Sequence, residues 1–186
     1  MSIRRNIAVF IAVISAASCI YAAVRPGKGM DLVPGDVAEF YTVKYSSDGK
    51  VSAKLTSIMM AVGSQGAFEQ VRILSVIDEK VRSSQTVLYD LSKERLEEGE
   101  LVASGSETVK IQGKSYECSW QKRRSRASTA TFWRCPELPF EHLAKMVMET
   151  PDGQRQTTEL VYFGPPDEET EGSRNFQDRL KRLLSQ

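Results

Sequence analysis

The sequence predicts a mainly β protein, in which an antiparallel meander forms a curved sheet or incomplete barrel, with an apolar segment before it and a short amphipathic helix after it. Three observations support this fold class. Segments of alternating apolar and polar residues recur along the middle of the chain and are separated by turn residues. An uncharged apolar run lies near the N-terminus, and apolar residues at helical spacing lie near the C-terminus. The chain has 186 residues, of which 41% are hydrophobic, and this is enough for a single core.

The N-terminal segment, residues 1–24, has the organisation of an export signal. Arg4 and Arg5 precede an uncharged run at 7–24. Positive residues keep the start of such a segment in the cytoplasm while the apolar run enters the membrane. We therefore expect the rest of the protein to lie outside the cytoplasm, either anchored to a membrane of the cell envelope or in the periplasm.

The end of this segment resembles a bacterial lipobox, because Ser-Ala-Ala-Ser stands directly before Cys19. The resemblance implies cleavage before Cys19 and attachment of a diacylglycerol to its sulfur. Two alternatives remain open. Ordinary cleavage after Ser18, Ala22 or Ala23 would release a soluble product, whereas the uncleaved run is long enough to serve as a membrane anchor.

A linker at 25–35 leads to the predicted β domain at 36–164. Its first strand, Val37–Tyr45, alternates apolar with polar residues, as a half-buried strand does. Asp48 and Gly49 then provide a hairpin turn. The charged segment 92–100 is expected to be an exposed loop or a short helical turn. The other predicted strands are 51–62, 67–77, 81–91, 108–112, 114–121, 128–135, 143–150 and 155–163.

The two cysteines of this domain, Cys118 and Cys135, are predicted to form a disulfide. An exported protein meets an oxidising environment. The charged stretch 122–127 separates two strand-like runs, so these runs should form a hairpin in which the cysteines are directly opposed. The same register places Trp120 opposite Trp133 on one face, and opposed residues are close enough for a disulfide. Two unpaired buried thiols are the alternative.

The last segment, 165–186, begins with an acidic linker and continues as a predicted amphipathic helix. Its apolar residues are Phe176, Leu180, Leu183 and Leu184. So short a helix is marginal alone, because most helical stability comes from packing of an apolar face. We expect it to pack on the protein's own sheet, and a partner protein or membrane surface is the alternative.

A family resemblance covers residues 113–164. The motifs are, in order, Gly-x-x-Tyr-x-Cys, Phe-Trp, Leu-Pro-Phe, Asp-Gly and Thr-Glu-Leu-Val-Tyr-Phe-Gly. This order resembles small secreted bacterial proteins of unassigned role, whose architectural relatives are the periplasmic lipoprotein carriers of the LolA and LolB type. The resemblance implies an incomplete antiparallel barrel around an apolar cavity, with helices at its mouth. It brings no functional residue to this chain.

No pattern in the sequence indicates an enzyme. A glycine-rich phosphate loop, a His-Glu-x-x-His motif and a Gly-x-Ser-x-Gly motif are all missing from it. The single histidine, His142, is expected to be structural. We expect no catalytic residue, no metal site and no cofactor. Because 25 basic residues stand against 24 acidic ones, the composition does not favour nucleic acid as a partner.

Two non-catalytic functions remain open. The first is an envelope binding or carrier module whose concave face holds an apolar ligand in a cavity lined by Phe40, Met59, Phe68 and Ile73. The second is a structural or interaction protein that engages an anionic envelope component through a basic hairpin tip and the C-terminal helix. The basic tip residues are Lys122, Arg123, Arg124 and Arg126. Membrane contact through the N-terminal segment or a lipid on Cys19 is compatible with either function.

Overall fold

The computed structural model describes residues 25–26, 32–90, 99–164 and 171–185. The predicted export segment with Cys19, most of the predicted charged segment at 92–100, and the acidic stretch at 165–170 lie outside the described residues.

The described residues form a ten-stranded sheet and one helix, so the predicted mainly β class is confirmed. The nine strands expected from alternation correspond to β2–β10. The elements are β1 (Arg25–Pro26), β2 (Val37–Tyr45), β3 (Val51–Gln65), β4 (Phe68–Ile77), β5 (Lys80–Asp90), β6 (Glu100–Ile111), β7 (Lys114–Arg124), β8 (Thr129–Arg134), β9 (Leu143–Glu149), β10 (Arg155–Gly164) and α1 (Glu171–Leu184).

The largest difference from the prediction concerns β6, which begins at Glu100 and not at residue 108. Most side chains of β6 are exposed, so alternation does not mark its first half. Backbone pairing with β7 holds this half in the sheet, from Glu100 opposite Arg124 onward.

The strand order across the sheet is β1-β5-β4-β3-β2-β10-β9-β8-β7-β6. Two antiparallel meanders, β2–β5 and β6–β10, are therefore joined by the antiparallel pair β2 and β10. The hydroxyl oxygens of Thr42 and Thr158 lie 2.9 Å apart at this join, and both residues are buried. β5 and β6 are successive in sequence but do not pair, so the chain is not one continuous meander. The sheet is open.

Alternation along β2–β5 directs apolar side chains to both faces of the sheet. In β2, Ala38 and Phe40 belong to one buried cluster, whereas Val37 belongs to another. We call these the first and the second cluster. Leu160 and Tyr162 would share a face in a regular strand, but an irregularity in the pairing of β10 with β2 separates them. Leu160 therefore packs in the first cluster and Tyr162 in the second.

The helix α1 packs on the second cluster, as expected from its apolar spacing. Phe176 and Leu183 are buried there, and the ring of Phe176 stacks on that of Tyr162 with centroids 4.4 Å apart. Leu184, which the sequence placed on the same apolar stripe, is 53% exposed. An ion pair adds to this packing, because Arg179 donates hydrogen bonds to both Glu39 and Glu79.

Candidate functional site

The hairpin formed by β7 and β8 has the predicted register. Trp120 is directly opposite Trp133, and the structure contains the predicted disulfide between Cys118 and Cys135. The Cα atoms of the two cysteines are 4.2 Å apart, and both side chains are buried. The disulfide therefore joins β7 to the residue that follows β8, inside the first cluster.

The turn of this hairpin is shorter than the predicted stretch 122–127. β7 continues to Arg124, and β8 begins at Thr129, so the turn consists of 125–128. The Ser125 N–H donates to the Ser128 carbonyl at 2.8 Å, and the Ser125 hydroxyl accepts from the N–H groups of Ala127 and Ser128. These local bonds close a tight turn and leave the preceding basic residues in the sheet.

The four basic residues predicted to crowd at the tip are therefore distributed over two faces and the turn. Because successive side chains of a strand point to opposite faces, Lys122 and Arg124 share the face of Trp120, and Arg123 points to the other face. Arg123 donates hydrogen bonds to the Gly99 carbonyl at 3.0 Å and to Gln121. Arg126 is exposed in the turn.

Both tryptophans are held by specific neighbours. A Cβ atom at Gly105, opposite Trp120, would lie 2.8 Å from its indole nitrogen, so only glycine fits beneath the ring as it stands. The indole N–H of Trp133 donates to Glu107 at 2.8 Å. The ammonium group of Lys145 lies 5.5 Å from the centroid of the Trp133 ring. A glycine inside a strand often marks a close approach, but Gly105 lies before the predicted strand 108–112, so the sequence did not indicate this contact.

Loop 136–142 connects β8 to β9 and inserts Leu138 and Phe140 into the first cluster, where they are 2% and 1% exposed. The φ angles of Phe140, Glu141 and His142 are 51°, 69° and 59°, in the left-handed region that non-glycine residues rarely adopt. The loop is held by local contacts. His142 Nδ1 lies 2.7 Å from the Leu138 carbonyl oxygen, and the Cys135 N–H donates to the His142 carbonyl.

Three of the four residues predicted to line an apolar cavity lie together in the first cluster. Phe40, Met59 and Ile73 are buried there, on neighbouring strands. Phe68, at the start of β4, is 38% exposed and is not part of that cluster. Leu138 and Phe140 of loop 136–142 belong to the same cluster as these three sheet residues.

A buried carboxylate in β4 was not anticipated from the sequence. Glu69 is 7% exposed, and no described residue donates a hydrogen bond to its Oε2. Burial raises the pKa of this carboxyl, because the charged form loses its hydration.

We expect Glu69→Gln to stabilise the protein by about 1 kcal/mol at neutral pH, because the substitution removes the cost of a buried charge. In the wild type the raised pKa means that the folded state binds the proton more tightly than the unfolded state, whose pKa is about 4.3. The wild type therefore gains stability as the pH falls through the raised pKa, and the gain is complete below the unfolded pKa. Urea unfolding of both proteins across this range measures the difference, which should be largest at neutral pH and smallest in acid. A difference independent of pH would contradict the explanation.

Within 25–26, 32–90, 99–164 and 171–185, no three or more His, Cys, Asp or Glu side chains are grouped so that they could hold a metal ion. No helix in the part of the chain that the structure describes has the length and hydropathy needed to cross a membrane.

Comparisons with known proteins concern architecture. No family model and no curated protein matches the chain. A candidate exported protein with a YmcC-like fold from Bacteroides fragilis is 7% identical, with a TM-score of 0.45 over 77% of this chain and 99% of its own. A chain of the Pseudomonas aeruginosa MucA/MucB complex is 10% identical, with a TM-score of 0.40 over 75% of this chain and 55% of its own.

A candidate outer-membrane lipoprotein-sorting domain from Vibrio parahaemolyticus is 10% identical, with a TM-score of 0.30 over 80% of this chain and 93% of its own. The similar structures thus include a lipoprotein-sorting domain, the class to which the sequence resemblance points. At these identities and TM-scores the likeness says nothing about the function of this chain.

Proposed function

We propose that the protein is a non-catalytic binding or carrier module of the bacterial cell envelope, and that its ligand is apolar and binds at the first cluster. One observation carries this proposal. Loop 136–142 places Phe140 inside the cluster at 1% exposure, while three successive residues of the loop hold left-handed backbone angles.

The left-handed conformation costs a non-glycine residue about 1–2 kcal/mol. Such strain persists only where the surroundings enforce it, and it is common at ligand-binding segments. Here burial of Leu138 and Phe140 offsets the strain. An apolar ligand that replaced Phe140 in the first cluster would provide similar apolar contact and would let the loop relax, which would offset the loss of the side chain from the cluster.

The envelope location in this proposal rests on the apolar segment 7–24 that follows Arg4 and Arg5. The non-catalytic role rests on the sequence, in which none of the catalytic motifs named above occurs.

The proposal predicts that Phe140→Ala binds an apolar probe at least about tenfold more tightly than the wild type, because the side chain that competes with the ligand is gone. Titration of the delipidated full-length protein with a dansylated fatty acid measures this, since dansyl emission rises on transfer from water to an apolar site.

Leu74→Ala is the matched control, because Leu74 is 1% exposed in the second cluster and its truncation also opens a cavity. Its probe affinity should equal that of the wild type. Equal gains in both variants would mean that any core cavity takes up the probe, and this result, or no binding to any of the three proteins, would overturn the proposal.

The second function considered from the sequence, an anionic partner engaged by the hairpin tip and α1, receives less support. The apolar side chains Phe176 and Leu183 are already buried on the protein's own sheet. Arg123 points away from the face of Lys122 and Arg124. We therefore do not propose the helix as a partner surface.

A further inference from the structure

One face of strands β6–β9 places aromatic rings beside cations. Trp120 and Trp133, the only tryptophans in the sequence, are directly opposed on this face, and both are half-buried. Lys122 and Arg124 follow Trp120 on the same side of β7. We call this surface the tryptophan face.

A row of directly paired residues with half-buried side chains crosses the sheet beside the two indoles. We call this row the path. Its residues are directly paired from strand to strand, are small, β-branched or aliphatic-stemmed, and are half-buried: Ala103, Lys122, Thr131, Val147, Thr157 and Val43. The path spans five strand spacings and is therefore about 24 Å long. The neighbouring row on one side contains Trp120 and Trp133, and the row on the other side contains Arg124.

Three cations at or near this path have no ion-pair partner in the part of the chain that the structure describes. None of Lys122, Arg124 and Arg126 forms an ion pair with another described residue. Two carboxylates of the same face are ion-paired, because Glu159 pairs with Lys145 at 3.0 Å and Glu149 pairs with Arg155 at 3.9 Å. Glu107 accepts the neutral Trp133 N–H and keeps its negative charge. Glu100, opposite Arg124, offsets part of the positive charge.

We propose that the tryptophan face binds an anionic polysaccharide chain laid across the strands. The C–H groups on the face of a sugar ring pack against the face of an indole. The hydroxyls of Thr131 and Thr157 can exchange hydrogen bonds with sugar hydroxyls. Lys122 and Arg124 can donate charge-assisted hydrogen bonds to sugar carboxylates. A peptide added as a strand would use a sheet edge and not a sheet face, and a bilayer would need large apolar side chains in place of the threonines.

The test uses an oligogalacturonate and, as its uncharged counterpart, the methyl ester of the same oligomer. Because both tryptophans of the chain lie on this face, the intrinsic fluorescence of the full-length protein reports binding there. We expect a saturable change with the oligogalacturonate, a lower affinity at higher salt, and an affinity at least about tenfold weaker for the methyl ester.

The double variant Lys122→Ala/Arg124→Ala should lose at least about tenfold in affinity. Its control is Lys110→Ala/Arg123→Ala, which removes the same two kinds of charge from the opposite face of β6 and β7 and should bind as the wild type does. Circular dichroism checks that both variants keep the fold.

Three results would overturn the proposal. One is no saturable fluorescence change. Another is an equal loss of affinity in the two double variants, which would mean that only the net charge matters. The third is binding to phosphatidylglycerol vesicles with the same dependence on Lys122 and Arg124, which would assign the face to a membrane. None of these results depends on Phe140, so this inference and the proposed apolar site can fail separately.

Discussion

Reduction of the disulfide between Cys118 and Cys135 is expected to lower the free energy of unfolding by about 3 kcal/mol. The two cysteines are 17 residues apart in sequence, so the bond removes loop freedom from the unfolded chain. Both side chains are buried in the first cluster, and reduction leaves their packing largely in place. The loss should therefore appear as a lower urea midpoint with a small change in slope, measured by tryptophan fluorescence with and without reductant.

The matched control is the double variant Cys118→Ala/Cys135→Ala, which cannot form the bond in any medium. Its midpoint should lie near that of the reduced wild type and should not respond to reductant. Peptide mapping of the oxidised wild type should recover both cysteines in one linked fragment. A wild-type midpoint that is the same with and without reductant would contradict the prediction.

Arg179→Met is expected to destabilise the protein by about 3 kcal/mol, because it leaves the Glu39 carboxylate buried without its cation. Glu39 is 8% exposed, and an Arg179 Nη1–H donates to its Oε1. Arg179 also donates two hydrogen bonds, of 2.9 and 3.0 Å, to the two carboxylate oxygens of Glu79. Methionine keeps much of the apolar stem of the side chain, so the loss reports mainly the missing charge. Thermal or urea unfolding measures it.

The double variant Glu39→Leu/Arg179→Met separates the charge from the packing. Replacing both partners removes the unpaired buried charge, so this variant should recover most of the stability that the single variant loses. Equal stabilities of the single and double variants would show that helix packing, and not the ion pair, accounts for the effect.

Glu79 makes the stability that this contact provides depend weakly on pH. The hydrogen bonds from Arg179 lower the pKa of the Glu79 carboxyl. A lowered folded-state pKa means that this stabilisation is present above the unfolded pKa and is lost as the pH falls through the folded one. The Glu79 side chain is 65% exposed, so solvent screening keeps its contribution small.

The sequence predicted strands well where one or both faces are buried. β2 has the predicted bounds because its apolar residues alternate and a turn with Asp48 and Gly49 follows it. The start of β6 and the end of β7 were missed for the opposite reason. Their residues are mostly exposed and polar, so only pairing with a neighbouring strand identifies them as strand, and pairing is a property of the folded chain.

Some features of the candidate sites could be predicted from local sequence, and others could not. The disulfide and the pairing of Trp120 with Trp133 were predictable, because a hairpin register follows from local sequence. The left-handed angles of Phe140 to His142 were not, because the loop contains no glycine or asparagine to indicate them. The role of Gly105 depends on which residue of β7 lies opposite it. The sequence did not fully define the bounds of β6 and β7, so the register between them could not be predicted.

The join between β2 and β10 has a consequence for biosynthesis. Its paired residues are far apart in sequence, as the separation of 116 positions between Thr42 and Thr158 illustrates, whereas the strands within each meander are close neighbours along the chain. Local contacts form early in folding, and distant ones wait for costly loop closure. In the export that we propose, the first meander emerges with the edge of β2 unpaired, and this edge stays open to aggregation until β10 has also left the membrane.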